Sequence, residues 1–185
     1  MKQAAYCVFD TPLGECGIAW TESANSAAEI RIVFFQLPEA TKEMTEMRIA
    51  EKSGATPCAV PPPRIAEIIE RVRKHLNGEV QDFRNVAVDL GGIEDFVLRV
   101  YEAAREIPAG KTSTYGEVAK KLGRPGAARA IGQVLGSNPI PLIIPCHRIL
   151  AAGTKPGGFS AHGGRTTKKR LLAIEGASIE PPLFP

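Results

Sequence analysis

The chain has 185 residues, 44% of them hydrophobic and 23% charged, the makeup of a globular protein of one or two domains. No apolar run approaches the roughly 20 residues that cross a bilayer, and no long apolar stretch precedes Asp10 as a secretory leader requires; a cytoplasmic protein (nuclear if eukaryotic) with no membrane partner is expected. The net charge of +3 hides an uneven distribution, since residues 1–98 carry 10 Lys or Arg against 15 Asp or Glu while residues 99–185 carry 13 against 5.

Residues 4–9 and 15–20 are apolar-rich and separated by Thr11-Pro12-Leu13-Gly14, a turn composition, so they predict a hairpin. Residues 30–35 give a third strand, and residues 38–52 a helix with Met44, Met47 and Ile49 available for burial. Four prolines between positions 54 and 63 predict a loop. Ile65, Ile68, Ile69, Val72 and Leu76 recur at spacings of three and four, and Asn77-Gly78 ends that helix. Residues 83–90 read as a further strand. This half is a small mixed sheet with helices and carries no recognisable chemistry. Its cysteines, Cys7, Cys16 and Cys58, could converge with His75 on zinc, yet none of the short ligand spacings of structural zinc is present, so no metal is expected. Together with Cys146 they lack any Cys-x-x-Cys pair and read as reduced thiols.

Gly91-Gly92 marks a boundary, giving a supporting α/β domain over residues 1–91 and a basic domain over residues 92–185. A basic half suits a polyanion such as nucleic acid, although a merely solvated basic face has the same composition. A helix over residues 94–107 shows an apolar stripe of Phe96, Val97, Val100, Tyr101 and Ala104. Ala109-Gly110-Lys111-Thr112 is not a phosphate loop, because Arg105 stands where that motif needs glycine. Thr114-x-x-Glu117 is a capping box, which starts a helix with Tyr115 in its exposed first turn. That helix ends at Gly123-Arg124-Pro125-Gly126, and another spans residues 127–137, burying Ile131, Val134 and Leu135. Two short helices about a tight turn form a helix-turn-helix, so this half is mostly helical and winged-helix-like. Ala127, Ala128 and Gly132 give the second helix a face that a neighbouring helix or a nucleic-acid backbone could approach closely, with Arg129 among them. Five glycines in residues 153–164 make either an idle loop or a lid, and Phe159 and Ser160 favour a lid. Lys168-Lys169-Arg170 precedes Leu171, Leu172 and Ile174 on a closing helix that carries Glu175. The tail, residues 178–185, looks peripheral.

Residues 138–149, Asn-Pro-Ile-Pro-Leu-Ile-Ile-Pro-Cys-His-Arg-Ile, place a thiol, an imidazole and a guanidinium at the end of an apolar run. Proline at 139, 141 and 145 suits a buried connection or irregular strand. A thiol reacts as its thiolate and needs a base or positive charge nearby; His147 and Arg148 are the local candidates. Because neighbouring side chains in an extended segment point to opposite faces, a link from Cys146 to His147 requires a turn or a bridging water. A buried cysteine is otherwise an inert small hydrophobe.

Pro145-Cys146-His147-Arg148, preceded by Asn138-Pro139 and followed by Gly157-Gly158-Phe159-Ser160, resembles the O6-alkylguanine-DNA alkyltransferase family. The likeness runs from about Phe96 to Ala177 through Ile107-Pro108-Ala109-Gly110-Lys111-Thr112, Thr114-Tyr115-Gly116-Glu117, Ala127-Ala128-Arg129-Ala130 and the Leu171 to Gly176 stretch. Four motifs in one order make it specific. The first ninety residues resemble the family only in length and in the turn at Thr11–Gly14. The resemblance implies direct repair of double-stranded DNA: an alkyl group on guanine O6, or on thymine O4, passes irreversibly to Cys146, once per molecule, in a monomer without a cofactor. It implies that Cys146 is activated through a water by His147, which Glu175 orients, and that Tyr115 rotates the nucleotide and protonates the leaving guanine. Thr114, Tyr115, Ala127, Ala128, Arg129 and Gly132 match DNA-contact positions, with Arg129 filling the vacated stack. Asn138 braces the site, Ser160, Phe159 and the backbone at Cys146 and Ile149 meet the base, and Arg148 supports the structure. Gly136 and His162 depart from some relatives, and some relatives hold zinc in the first half. Two rival functions remain open at this point: a lesion sensor or helix-turn-helix regulator that transfers nothing, and a cysteine hydrolase that turns over.

Overall fold

The computed structural model describes residues 4–23 and 26–177; the tail at 178–185 lies outside them. Two compact units are present, one formed by residues 1–91 with 139–143, the other by residues 92–138 and 144–185.

In the first unit β1 (Ala4–Thr11) and β2 (Gly14–Ser23) form an antiparallel hairpin whose turn is tied by Thr11 Oγ1 donating to the Gly14 carbonyl at 2.5 Å. β3 (Ser26–Gln36) pairs antiparallel with β2, and β4 (Thr56–Pro57) adds to β1 in parallel, giving a mixed sheet in the order β3-β2-β1-β4. Successive side chains of a strand point to opposite faces, so the two faces of β1 meet different helices. Tyr6 packs with Ala19 and with Ile49 of α1 (Lys42–Ser53). Phe9 meets α2 (Pro63–Leu76), where the Arg73 guanidinium lies 5.7 Å from its ring centroid. The approach of α1 is close enough that a Cβ on Gly17 would sit 2.7 Å from Ile49 Cδ1.

Two expectations fail in this unit. Met44 and Met47 are 42% and 63% exposed; the inward stripe of α1 is Thr45 and Ile49. Thr45 can be buried because its hydroxyl donates to the Thr41 carbonyl and accepts from the Glu39 N–H. Residues 83–90 form no strand but make a single parallel bridge between Val88 and Ile32. Asp82 folds back on Arg84, and the Val86 N–H bonds to the Phe83 carbonyl. The apolar residues Phe83 and Val86 are buried as part of that turn, each 4% exposed, so their pattern reported burial rather than a ladder.

Residues 139–143 belong to this first unit, with the Phe35 N–H donating to the Pro139 carbonyl at 2.9 Å. Ile140, Leu142 and Ile143 are buried in it. Leu142 adopts φ 73°, a left-handed conformation that a non-glycine residue rarely holds.

The second unit comprises α3 (Asp95–Arg105), β5 (Ser113–Thr114), α4 (Tyr115–Lys121), α5 (Ala128–Gly136), β6 (Ile149–Leu150) and α6 (Arg165–Ile174), with a 3-10 turn at Cys146–Arg148. β5 and β6 pair in parallel, Ser113 opposite Ile149. The Thr114 hydroxyl accepts from the Glu117 N–H at 3.1 Å and the Glu117 carboxylate accepts from the Thr114 N–H at 2.6 Å, so the capping box forms on both sides and fixes where α4 begins. α5 turns back on α4, burying Ile131 and Leu135, and the Tyr101 hydroxyl of α3 donates to the Val134 carbonyl.

Candidate active site

Pro145 ends the apolar segment and Cys146 opens a 3-10 turn, the departure from extended backbone that Cys146 and His147 needed. Cys146, His147 and Arg148 are all buried. Their anchor is Glu175 at the end of α6. Arg148 grips it with two N–H donors, Nε to Oε2 at 2.9 Å and Nη2 to Oε1 at 2.8 Å, and its Nη1 donates to the Ile107 carbonyl at 2.6 Å. His147 Nε2 lies 2.9 Å from Oε1 of the same carboxylate. Since both oxygens of Glu175 already accept from a guanidinium, the network assigns the ring proton to Nε2, which leaves Nδ1 as the basic nitrogen. Nδ1 is buried as well. Gly110 makes room for this anchor: it holds φ 77°, and a Cβ there would come within 2.9 Å of the Glu175 carbonyl oxygen.

Burial pushes the Cys146 thiol above its ordinary range; a hydrogen bond from the Asn138 side chain, and after it the charge of Lys168, pull it back. Asn138 also donates from Nδ2 to the Ile144 carbonyl at 2.8 Å, which ties the start of the nucleophile segment to its end. Sequence reasoning looked to His147 and Arg148 for positive charge and missed Lys168. Although it opens a Lys-Lys-Arg run, Lys168 is fully buried, its Nζ 2.6 Å from the Ile149 carbonyl oxygen and 5.9 Å from the Tyr115 ring centroid. The signal was present: Lys168, Leu171, Leu172 and Glu175 follow the i, i+3, i+4, i+7 spacing of one inward helical face. Burial draws its ammonium down to about 8, with Cys146 opposing that shift.

Cys146 forms part of the wall of a cavity of about 510 Å³, within the range that holds a small-molecule group. Tyr115, Ala128, Arg129, Gly132, Phe159 and Ser160 share that wall, as the sequence led one to expect; Gln133, Leu135, Gly136 and Gly158 complete it. Tyr115 is half-buried rather than exposed, and burial, then the Cys146 charge, raise its hydroxyl above the ordinary range. The remaining candidates stand elsewhere: Thr114 and Ala127 are the N-caps of α4 and α5, Ile149 lies fully buried in β6, and His147 and Glu175 form the buried pair described above. Among the described residues no group of three or more His, Cys, Asp and Glu side chains could hold a metal ion, and no helix is long and apolar enough to cross a membrane. Cys7, Cys16, Cys58 and Cys146 are all free thiols.

Residues 95–177 match the family described as 6-O-methylguanine DNA methyltransferase, DNA binding domain. A methylated-DNA–protein-cysteine methyltransferase of Mycobacterium leprae is 41% identical over 166 residues, 90% of this chain and 88% of that protein. One from Methanosarcina acetivorans is 31% identical over 172 residues, covering 93% and 98%. The fold superimposes with a TM-score of 0.71 on the Mycobacterium tuberculosis OGT crystallised in complex with DNA, at 32% identity and 96% coverage of both chains.

Proposed function

The chain belongs to the methylated-DNA–protein-cysteine methyltransferase family, and we propose on that footing that it repairs double-stranded DNA by taking the alkyl group of O6-alkylguanine, and of O4-alkylthymine, onto Cys146. What supports the reading is one observation: the thiol and the small-residue face of α5, with Arg129 beside it, line the same open cavity. A base inside a duplex must leave the stack to reach a thiol there, at a cost of a few kcal/mol. Arg129 is exposed at the start of α5 and fills the space the base vacates. Ala127, Ala128 and Gly132 let the helix meet the minor-groove backbone, with Thr114 at the head of α4.

The chemistry then follows from the turn at Cys146. His147 Nδ1, through a bridging water, takes the thiol proton while Glu175 holds the opposite side of the ring. The sulfur attacks the alkyl carbon; the S–C bond forms as the C–O6 bond breaks, and its electron pair leaves with the guanine. Tyr115 donates its hydroxyl proton to the guanine and recovers one from the imidazolium, so the proton lost by the thiol ends on the free base. Ser160 and the backbone at Cys146 and Ile149 read the base edge, Phe159 closes over it, and Asn138 braces the segment. Neither water nor a second thiol readily displaces the cysteine thiolate from the thioether, so each molecule acts once and needs no cofactor. We read residues 1–91 as a supporting domain, residues 92–185 as the reacting one, and the protein as a monomer. Its four free thiols fit a reducing cytoplasm.

Incubation with a duplex carrying O6-methylguanine, followed by mass spectrometry, is expected to show one added methyl per chain on Cys146. Cys146→Ala is expected to retain lesion binding and gain no mass. Binding without any mass gain by the unaltered protein would mark a lesion sensor instead, and continued product formation beyond one equivalent a hydrolase.

A further inference from the structure

Two thiols of the first unit have no part in the transfer. Cys7 lies in β1, and Cys58 directly follows β4, the strand at the edge of the sheet. Ala5 pairs with Thr56 and Tyr6 with Pro57 in parallel, and the Cys58 N–H continues the ladder by donating to the Tyr6 carbonyl at 2.8 Å. The next step of that register sets Cys7 opposite Cys58 on one face of the sheet. Neighbouring strands stand about 4.8 Å apart, inside the roughly 4.4–6.8 Å between Cα atoms that a disulfide spans. A second observation agrees with this pairing: burial, and after it the charge of Cys58, push the Cys7 thiol up to about 11, while the Arg73 guanidinium pulls it back.

Neither sulfur is sealed in. Both residues are partly exposed, and Cys7 shares the wall of a cavity of about 230 Å³ with Phe9, Ala59, Ile69 and Arg73. The Cys58 thiol donates to the Val60 carbonyl at 3.2 Å, within the loop that leads from β4 to α2. Cys16, the third thiol of this unit, is fully buried, 3.8 Å from the Thr11 hydroxyl.

We propose that Cys7 and Cys58 form a reversible disulfide, made by hydrogen peroxide, that clasps the edge strand β4 and the loop after it to β1. Two residue pairs otherwise hold β4 in place. Cys58 gives its proton to solvent and its sulfur attacks one peroxide oxygen; the S–O bond forms as the O–O bond breaks, and the departing hydroxide is protonated to water. The Cys7 sulfur then attacks that of the sulfenic acid. The S–S bond forms as the S–O bond breaks, and the hydroxide leaves as a second water with the Cys7 proton. Cys58 reacts first because burial keeps Cys7 protonated; once Cys58 is a neutral sulfenic acid, the charge opposing Cys7 is gone and Arg73 remains to favour its thiolate. A dithiol restores both thiols by exchange. Transient bridges of this kind occur in proteins that are otherwise kept reduced. Closing the chain between positions 7 and 58 removes freedom from the unfolded state, so the bridge raises the unfolding temperature.

The test treats the full-length protein with hydrogen peroxide, caps the remaining thiols with iodoacetamide under denaturing conditions, and maps the peptides by mass spectrometry. The expected product is a monomer two hydrogens lighter, with Cys7 and Cys58 in one linked peptide, Cys16 capped, and the link lost on treatment with dithiothreitol. Its unfolding temperature is expected to lie several degrees above that of the reduced protein and to fall back on reduction, with no such rise in Cys58→Ser. In Cys7→Ser, dimedone is expected to trap the sulfenic acid on Cys58. Thiols oxidised separately, linked only between two molecules, or linked without a rise in unfolding temperature would each overturn the proposal. None of these readouts passes through DNA, so the thiol pair stands or falls apart from the alkyl-transfer reading.

Discussion

Glu175 carries three hydrogen bonds from two side chains, and its loss would leave the buried Arg148 guanidinium facing a void. Breaking a buried pair from one side costs about 3–5 kcal/mol, most of it the uncompensated charge. Glu175→Ala is therefore expected to lower the unfolding free energy by that amount in urea titration. Glu175→Gln, which still accepts from Arg148, should lose less. Equal stability of the alanine variant and the wild type would mean that the carboxylate orients nothing. At this scale the sequence was informative where chemistry sits in consecutive letters: Cys146, His147 and Arg148 announce themselves. Lys168 did not, because a Lys-Lys-Arg run reads as solvated charge until the helical phase of α6 is set beside it.

Among the elements, α5 carries the clearest division of labour. Ile131 and Leu135 face inward and are buried, while Ala128, Gly132 and Gly136 recur every fourth residue along the cavity wall. The spacing alone left two uses for such a face, packing against a helix or admitting a backbone, and the open cavity favours the second. Arg129→Ala is expected to slow repair of O6-methylguanine in duplex by tenfold or more while leaving reaction with the free modified base within about twofold, since only the duplex must be held open. Equal losses on both substrates would remove the stack-filling role. The boundaries of α2, α3 and α4 were legible because apolar spacing and the Thr114-Glu117 box are local signals. The failures at α1 and at residues 83–90 share one cause. Hydrophobic pattern reports burial, and whether a buried segment is a ladder, a turn, or a helix that prefers a bonded threonine to a methionine is decided by partners distant in sequence.

For the whole molecule, the contrast between an acidic first half and a basic second half sets how it meets a polyanion. Thirteen cationic side chains stand against five carboxylates in residues 99–185, and those other than the buried Arg148 and Lys168 imply binding driven by release of counterions from phosphate. The affinity for undamaged duplex should fall linearly on a logarithmic salt scale with a slope of about −0.9 for each phosphate neutralised, and a slope of about −3 or steeper is expected. Affinity indifferent to salt would rule out the basic half as the contact surface. Tyr115 lines the cavity beside Cys146, and its ring is boxed in: a Cβ at Gly157 would come within 3.2 Å of its hydroxyl, one at Gly132 within 3.8 Å of its edge, and Lys168 covers a face. A ring so confined keeps one orientation, and lesions that loosen their own pairing, which cost the least to take out of the stack, are expected to be caught sooner than equally reactive ones that pair well.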